Sequence, residues 1–218
     1  MDSRTLLEAV DDAFVTTGAG TPPWPDPHEG MEGPTDDEYS RCLDWGKYRI
    51  LKARADAWVL ALTRLGLAVV EEFEEPGQVW RDQPPRVELD RAIWLRPVRA
   101  GAIPLLLGFW GPPDAPDTTV YVGAGEPAVL ALLTPGCGCD ACDDGSDHLL
   151  REVDKHLLSI VNGDFVHLAR GRNTVMSTGA GWSASGRFAD TRRDVEALLA
   201  QARDGRSRHR VVRGARWW

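Results

Sequence analysis

An α+β fold is what the sequence predicts: an antiparallel β-sheet of about five to seven strands packed by three or four α-helices. Three observations lead there. Leu51, Ala55, Trp58, Leu62 and Leu65 fall on one helical stripe. The apolar period then switches to two, in segments joined by short Gly-containing turns. Of the 218 residues, 43% are hydrophobic and 27% charged, an ordinary globular balance. A chain of this length removes roughly 70% of its unfolded surface from water, so it needs neither a disulfide nor a metal to have a core.

The elements follow in order. Leu6, Leu7, Val10 and Phe14 have helical spacing, which predicts an amphipathic helix over residues 3–16. Gly18 to Pro34 holds five prolines and four glycines, a density that neither a helix nor an inner strand survives, so it is a loop that Trp24 can anchor. Thr35 and Glu38 have the spacing of a capping box. They start a helix near Asp36 that runs, with an interruption near Gly46, to Leu65, and Gly66 sits where a left-handed cap ends it. Leu67–Phe73 reads as a strand. Arg91–Arg99 and Ile103–Trp110 read as a hairpin through Ala100-Gly101, with Ile103, Leu105, Leu107 and Phe109 on one face. Thr118–Val122 and Ala128–Leu133 make a further pair around Gly123-Ala124-Gly125. Asp147–Val161 is again helical, Phe165–Leu168 and Thr174–Thr178 form a hairpin through Gly171, and a last helix spans Asp190–Ala202. The expected organisation is one α+β domain over residues 1–202, with a Gly/Pro-rich loop at 17–34 and a Cys-rich loop at 134–146. A basic Arg/Trp tail at 203–218 follows it.

Composition excludes several function classes. No apolar run approaches the roughly 18–20 residues that cross a bilayer. Met1 to Leu7 lacks the apolar centre of an export signal, so a cytoplasmic protein with no membrane partner is expected. The basic residues are 22 Arg and three Lys, a bias that points to a high-GC genome more than to function. Residues 1–163 hold 14 basic and 28 acidic residues, whereas residues 164–218 hold 11 basic and 5 acidic. An acidic body repels phosphate backbones, so nucleic acid is not an expected partner except through the tail. There the arginines after Arg203 accompany Trp217 and Trp218, a mixture of groups that single-strand binders use. The plain alternative is a terminus docked on the acidic body.

Three of the four cysteines lie within six residues: Cys137, Cys139 and Cys142. Four readings compete for this loop. The first is zinc: Cys139-x-x-Cys142 has knuckle spacing and Cys137 adds a third thiolate, while His148 and Cys42 are candidates for the fourth ligand. A second Cys-x-x-Cys or a His pair, which would complete a standard structural site, is absent. The second is a reactive thiol. Asp140, Asp143, Asp144 and Asp147 surround the sulfurs in sequence, and like charge raises thiol pKa values, which opposes a nucleophile and favours a bound cation. The third is a disulfide, which a reducing cytosol disfavours. The fourth is plain packing of small cysteines in a Gly-rich loop, which stands beside zinc.

Cys137-Gly138-Cys139-Asp140-Ala141-Cys142-Asp143, the Leu-rich helix after it and Gly181-Trp182-Ser183-Ala184-Ser185-Gly186 together resemble an actinobacterial family of uncharacterised proteins. Trp24-Pro25-Asp26-Pro27-His28 and Tyr48-Arg49-Ile50 fit the same family. The resemblance covers most of residues 5–190 and leaves out the tail. It implies a bacterial cytosolic protein of unknown function, and it brings no activity, cofactor or catalytic residue.

Other constellations have plain readings. His148, Glu152 and His156 recur every four residues, the pattern of a solvated helix face with i, i+4 pairs. Gly179–Gly186 lacks the Gly-Lys-Ser/Thr of a phosphate loop and reads as a turn between strands. Gly-x-Ser-x-Gly is absent. Trp24 and Trp182, both read in loops, are the tryptophans to test for an aromatic pocket. The favoured function is therefore a non-enzymatic cytosolic binding or interaction protein whose Cys137, Cys139, Cys142 and His148 are the candidate zinc ligands. The alternative is a small-molecule enzyme with its site where the Cys loop, His148 and Trp182 meet.

Overall fold

The computed structural model describes residues 1–30, 33–72, 79–81, 85–186, 188 and 192–218. Among them are four α-helices and nine strands in two antiparallel sheets, the expected α+β class with more strands than the five to seven expected of one sheet.

Helix α1 spans Ser3–Thr17. The Thr5 N–H donates to the Asp2 side chain at 2.9 Å, capping the helix, and Leu6, Val10 and Ala13 turn inward. Helix α2 spans Arg49–Arg64 and buries Leu51, Ala55, Trp58 and Leu62, the stripe seen in sequence. Leu65 does not continue the stripe. It is the C-cap, 40% exposed, and Gly66 follows with φ +67° in the left-handed region.

The helix expected from Asp36 to Leu65 is shorter than predicted. The Thr35–Glu38 capping box forms, with the Thr35 N–H donating to Glu38 at 2.6 Å, but it starts only a 3-10 turn, Asp36–Ser40. A second 3-10 turn, Gly46–Tyr48, leads into α2. The backbone between them is used elsewhere: the Arg41 carbonyl accepts from the Asp140 N–H at 2.9 Å, and the Leu43 N–H donates to the Asp140 carboxylate at 3.1 Å. A segment bonded to a distant loop cannot also close i→i−4 bonds.

The first sheet is a meander of β1 Ala68–Glu72, β2 Arg91–Pro97, β3 Leu105–Trp110, β4 Thr119–Ala124 and β5 Val129–Thr134. Phe73, expected to end β1, lies outside the described residues. Both faces are covered. Leu105, Leu107 and Phe109 face the helices in the main core, while Leu106 joins Trp94, Tyr121 and Trp80 on the other side.

Helix α3 spans Gly145–Val161 and packs on α2. Between them Arg54, 6% exposed, makes a two-pronged pair with Asp154 at 2.8 and 2.7 Å and reaches Asp11 at 2.8 Å. The Trp58 indole N–H donates to the same Asp154 at 2.7 Å. Burial alone lowers the pKa of Arg54, but these carboxylates leave it raised overall, so the three helices share one satisfied buried charge.

The second sheet is formed by β6 Val166–Arg170, β7 Asn173–Ser177, β8 Trp182–Ser185 and β9 Arg210–Arg213, in the order β8-β7-β6-β9. Two of its strands occupy places read otherwise in sequence: β8 lies in the stretch read as a turn, and β9 in the basic tail. Helix α4, Arg192–Arg203, covers one face with Val195, Leu199 and Ala202 against Val166, Leu168 and Val175. Its expected start at Asp190 lies outside the described residues. Beyond β9, the Trp217 N–H donates to the Val161 carbonyl at 2.9 Å, and its ring is 2% exposed in the main core. Among the described residues, no helix is long and apolar enough to cross a membrane.

Candidate metal centre

The Cys loop links β5 to α3. Cys139-Asp140-Ala141-Cys142 folds as a 3-10 turn in which the Cys142 N–H donates to the Cys139 carbonyl at 3.0 Å. This turn brings the three thiols together: one ligand atom from each of Cys137, Cys139 and Cys142 lies within 4.8 Å of the others. The Cys137 and Cys139 sulfurs are 3.1 Å apart, too far for a disulfide, and all four cysteines are free. Four ligands at about 2.3 Å around zinc put sulfurs about 3.8 Å apart. Cys137 and Cys142 are exposed, so rotation about their side-chain bonds can adjust these separations.

The four aspartates do not ring these sulfurs as their sequence positions suggest. Asp140 accepts from the Arg41 guanidinium at 2.9 Å as well as from the Leu43 N–H, and Arg41 also pairs with Asp37. Asp143, 3% exposed, accepts from Lys47 Nζ at 2.5 Å, from the Trp24 indole N–H at 2.8 Å and from the Gly145 N–H at 3.0 Å. Asp147 pairs with Arg151 at 2.8 Å. Asp140 and Asp143 therefore hold the loop in place, and Asp147 is paired on its own helix. Cys139 shows the difference. Donation from the Cys137 thiol is the largest influence; burial opposes it, and the Cys142 thiol and the N–H groups of Cys142 and Ala141 add to it, so the Cys139 thiol is held below the usual range. Cys142 is pushed up to about 11, first because it donates to Cys139, then by burial and the adjacent sulfurs. The like-charge argument from the aspartates thus does not govern either thiol.

Behind the turn stands an aromatic wall. The Trp45 ring lies on Gly138, where an added Cβ would come within 2.0 Å of it. Tyr48 meets Trp24 and Trp45 edge to face at 5.6 and 5.8 Å between centroids, and Lys47 Nζ sits over the Tyr48 ring at 5.2 Å. Trp24 anchors the Pro-rich loop, since its N–H donates to the Ser146 hydroxyl at 3.0 Å and its carbonyl accepts from the Ser146 N–H at 3.1 Å. The buried Tyr48 hydroxyl has no hydrogen-bond partner among the described residues. Burial first, then the charge of Asp143, holds its pKa well above the usual tyrosine value.

Neither candidate fourth ligand belongs to the sulfur group. His148 is half exposed on α3, with Nε2 3.9 Å from Asp144 Oδ2. Cys42 packs against the main core, where burial and then Asp140 raise its thiol pKa. Trp182 lies elsewhere, at the edge strand β8, in a hollow lined with Glu152, Lys155 and His156 but by no cysteine. His156 is not on a solvated face. It is buried, and its Nδ1 lies 2.8 Å from the Glu152 carbonyl. Trp217 belongs to the core, and the Arg216 guanidinium stands over the Trp218 ring at 5.2 Å.

A family model matches residues 10–218, including the segment after Arg203 that the sequence resemblance left out. The chain belongs to DUF6226, a family of unknown function. No curated protein and no solved structure matches this DUF6226 chain. Sequence reasoning found the three thiols of the DUF6226 loop and missed the residues that fix it, Arg41, Trp45, Lys47 and Tyr48. One signal was present: Lys47 is one of only three lysines in a chain with 22 arginines.

Proposed function

We propose that this protein is a non-enzymatic binding protein whose Cys137, Cys139 and Cys142 thiolates hold one zinc ion. One observation carries the reading: three thiol sulfurs converge within 4.8 Å on a turn that ion pairs and hydrogen bonds already fix. Thiolates on a knuckle are the donor set that suits zinc. The fourth position is taken by water or by a ligand from a partner, because His148 rests against Asp144 and Cys42 in the core. An open position is also what catalytic zinc requires, but Asp140 and Asp143 are both engaged and offer no free base beside the sulfurs. Free thiols in this role require a reducing compartment, which we take to be the cytoplasm.

Metal analysis of purified protein, after reconstitution with zinc and desalting, tests the reading. About one zinc per chain is expected, lost in the Cys139→Ser/Cys142→Ser double variant and kept in His148→Ala. Protein that retains no zinc sinks the site. Loss of zinc in His148→Ala makes His148 the fourth ligand instead.

A further inference from the structure

The two faces of the second sheet differ in chemistry. The face under α4 carries Val166, Leu168 and Val175. The opposite face carries His167, Thr174, Met176, Ser183 and Ser185, which the register aligns: His167 faces Met176, Met176 faces Ser183, and Thr174 faces Ser185. A covered sheet face is ordinarily apolar. This one instead borders a cavity of about 200 Å³ that lies against the start of β5. Ser183 and Ser185 stand exposed at its rim, so it opens to solvent along β8.

Two side chains that line this cavity have unpaired polar groups among the described residues. His167 is 7% exposed, and its Nδ1 has no hydrogen-bond partner among the described residues. Buried polar atoms in folded proteins are almost always paired, and the exceptions mark places where something else supplies the partner. Arg81 also lines the cavity, and among the described residues its guanidinium has no ion pair. The other polar groups on the wall are hydroxyls. Among the described residues no carboxylate lines it, in a chain whose net charge is −8.

We propose that this cavity binds a small molecule through an oxyanion, a carboxylate or a phosphate, held by the Arg81 guanidinium and the buried His167 imidazole, with Thr174, Ser183 and Ser185 offering hydroxyls. A guanidinium and N–H or O–H donors without a competing carboxylate are the groups such an anion needs. Burial holds the His167 pKa down to about 4, so the ring is neutral at pH 7 and offers one N–H. The volume is below the roughly 300–1,000 Å³ of a drug-sized pocket, so the ligand is small. The Cys loop takes no part in this site, and the inference stands whether or not zinc binds there.

Two-dimensional NMR of the His167 imidazole in the full chain tests it, with inorganic phosphate and acetate added separately at constant ionic strength. A saturable shift at about millimolar concentration is expected from at least one anion. Phosphate alone points to a phosphorylated ligand, acetate alone to a carboxylate. Arg81→Met should weaken the response at least about tenfold. Ser185→Trp closes the rim from an exposed position and should abolish the response even if Arg81→Met fails to fold. No shift from either anion at about 20 mM overturns the proposal, as does an unchanged response in Ser185→Trp.

Discussion

Asp143→Ala is the sharpest perturbation of the Cys loop. The wild-type carboxylate is 3% exposed and accepts from Lys47, Trp24 and Gly145. Removing one member of a buried ion pair costs about 3–5 kcal/mol. The Lys47 side chain is 20% exposed and can turn toward water, which moves the expected loss to the lower end, about 3 kcal/mol. Asp143→Asn keeps Oδ1 as an acceptor for Trp24 and Gly145 but turns an amide NH2 toward the Lys47 ammonium, so it loses that charged hydrogen bond and should cost about 1.5–3 kcal/mol. Lys47→Met strands the carboxylate with two neutral donors and should cost about as much as Asp143→Ala. The double variant should then cost less than the sum by about 2 kcal/mol. Urea denaturation followed by circular dichroism gives each value. For a chain of this size a 3 kcal/mol loss lowers Tm by about 6–12 °C. Asp143→Ala within about 0.5 kcal/mol of wild type, or strictly additive single variants, would refute the clamp.

Three further outcomes follow from the same coordinates. Gly138→Ala should cost about 1–3 kcal/mol in urea denaturation, because the new methyl meets the Trp45 ring, which packs on Tyr48 and cannot retreat freely. His167 binds its proton in the unfolded chain near pH 6.5 and in the folded chain only near pH 4. Stability is therefore whole above about pH 6.5 and falls by up to about 3 kcal/mol as pH drops to 4; His156, also lowered by burial, adds in the same direction, and His167→Leu should flatten the decline in a pH series of urea titrations. Trp217→Ala should cost about 3–5 kcal/mol in a single cooperative transition, whereas a docked tail would leave the main transition in place.

How much of this was legible in the sequence depends on the range of the forces involved. Helix α2 was legible because its stripe is local, and the cysteine knuckle because three residues of chain join its sulfurs. Strands β8 and β9 were not. Each has four residues, and Arg210-Val211-Val212-Arg213 lacks the alternation of a half-buried strand, so its pairing with β6 rests on contacts about 40 residues away. The role of the aspartates was misread for the same reason. In sequence, Asp140 and Asp143 stand beside the thiols; in space their partners come from Trp24 and from residues 41–47. His167 looked like an ordinary strand residue, because nothing along the chain signals that its ring lacks a partner.

The fastening of the Cys loop to Arg41 and Lys47 separates it from small zinc modules that are unfolded without metal. There the ion must order the peptide, and part of its binding energy is consumed in doing so. Here the bonds of Asp140 to Arg41 and Leu43, and of Asp143 to Lys47, Trp24 and Gly145, order the loop without using the thiols. Under the zinc reading proposed above, a chelator should strip the thiols and leave the circular dichroism spectrum and melting curve nearly unchanged, and exchange of the ion with another thiol donor should proceed without unfolding.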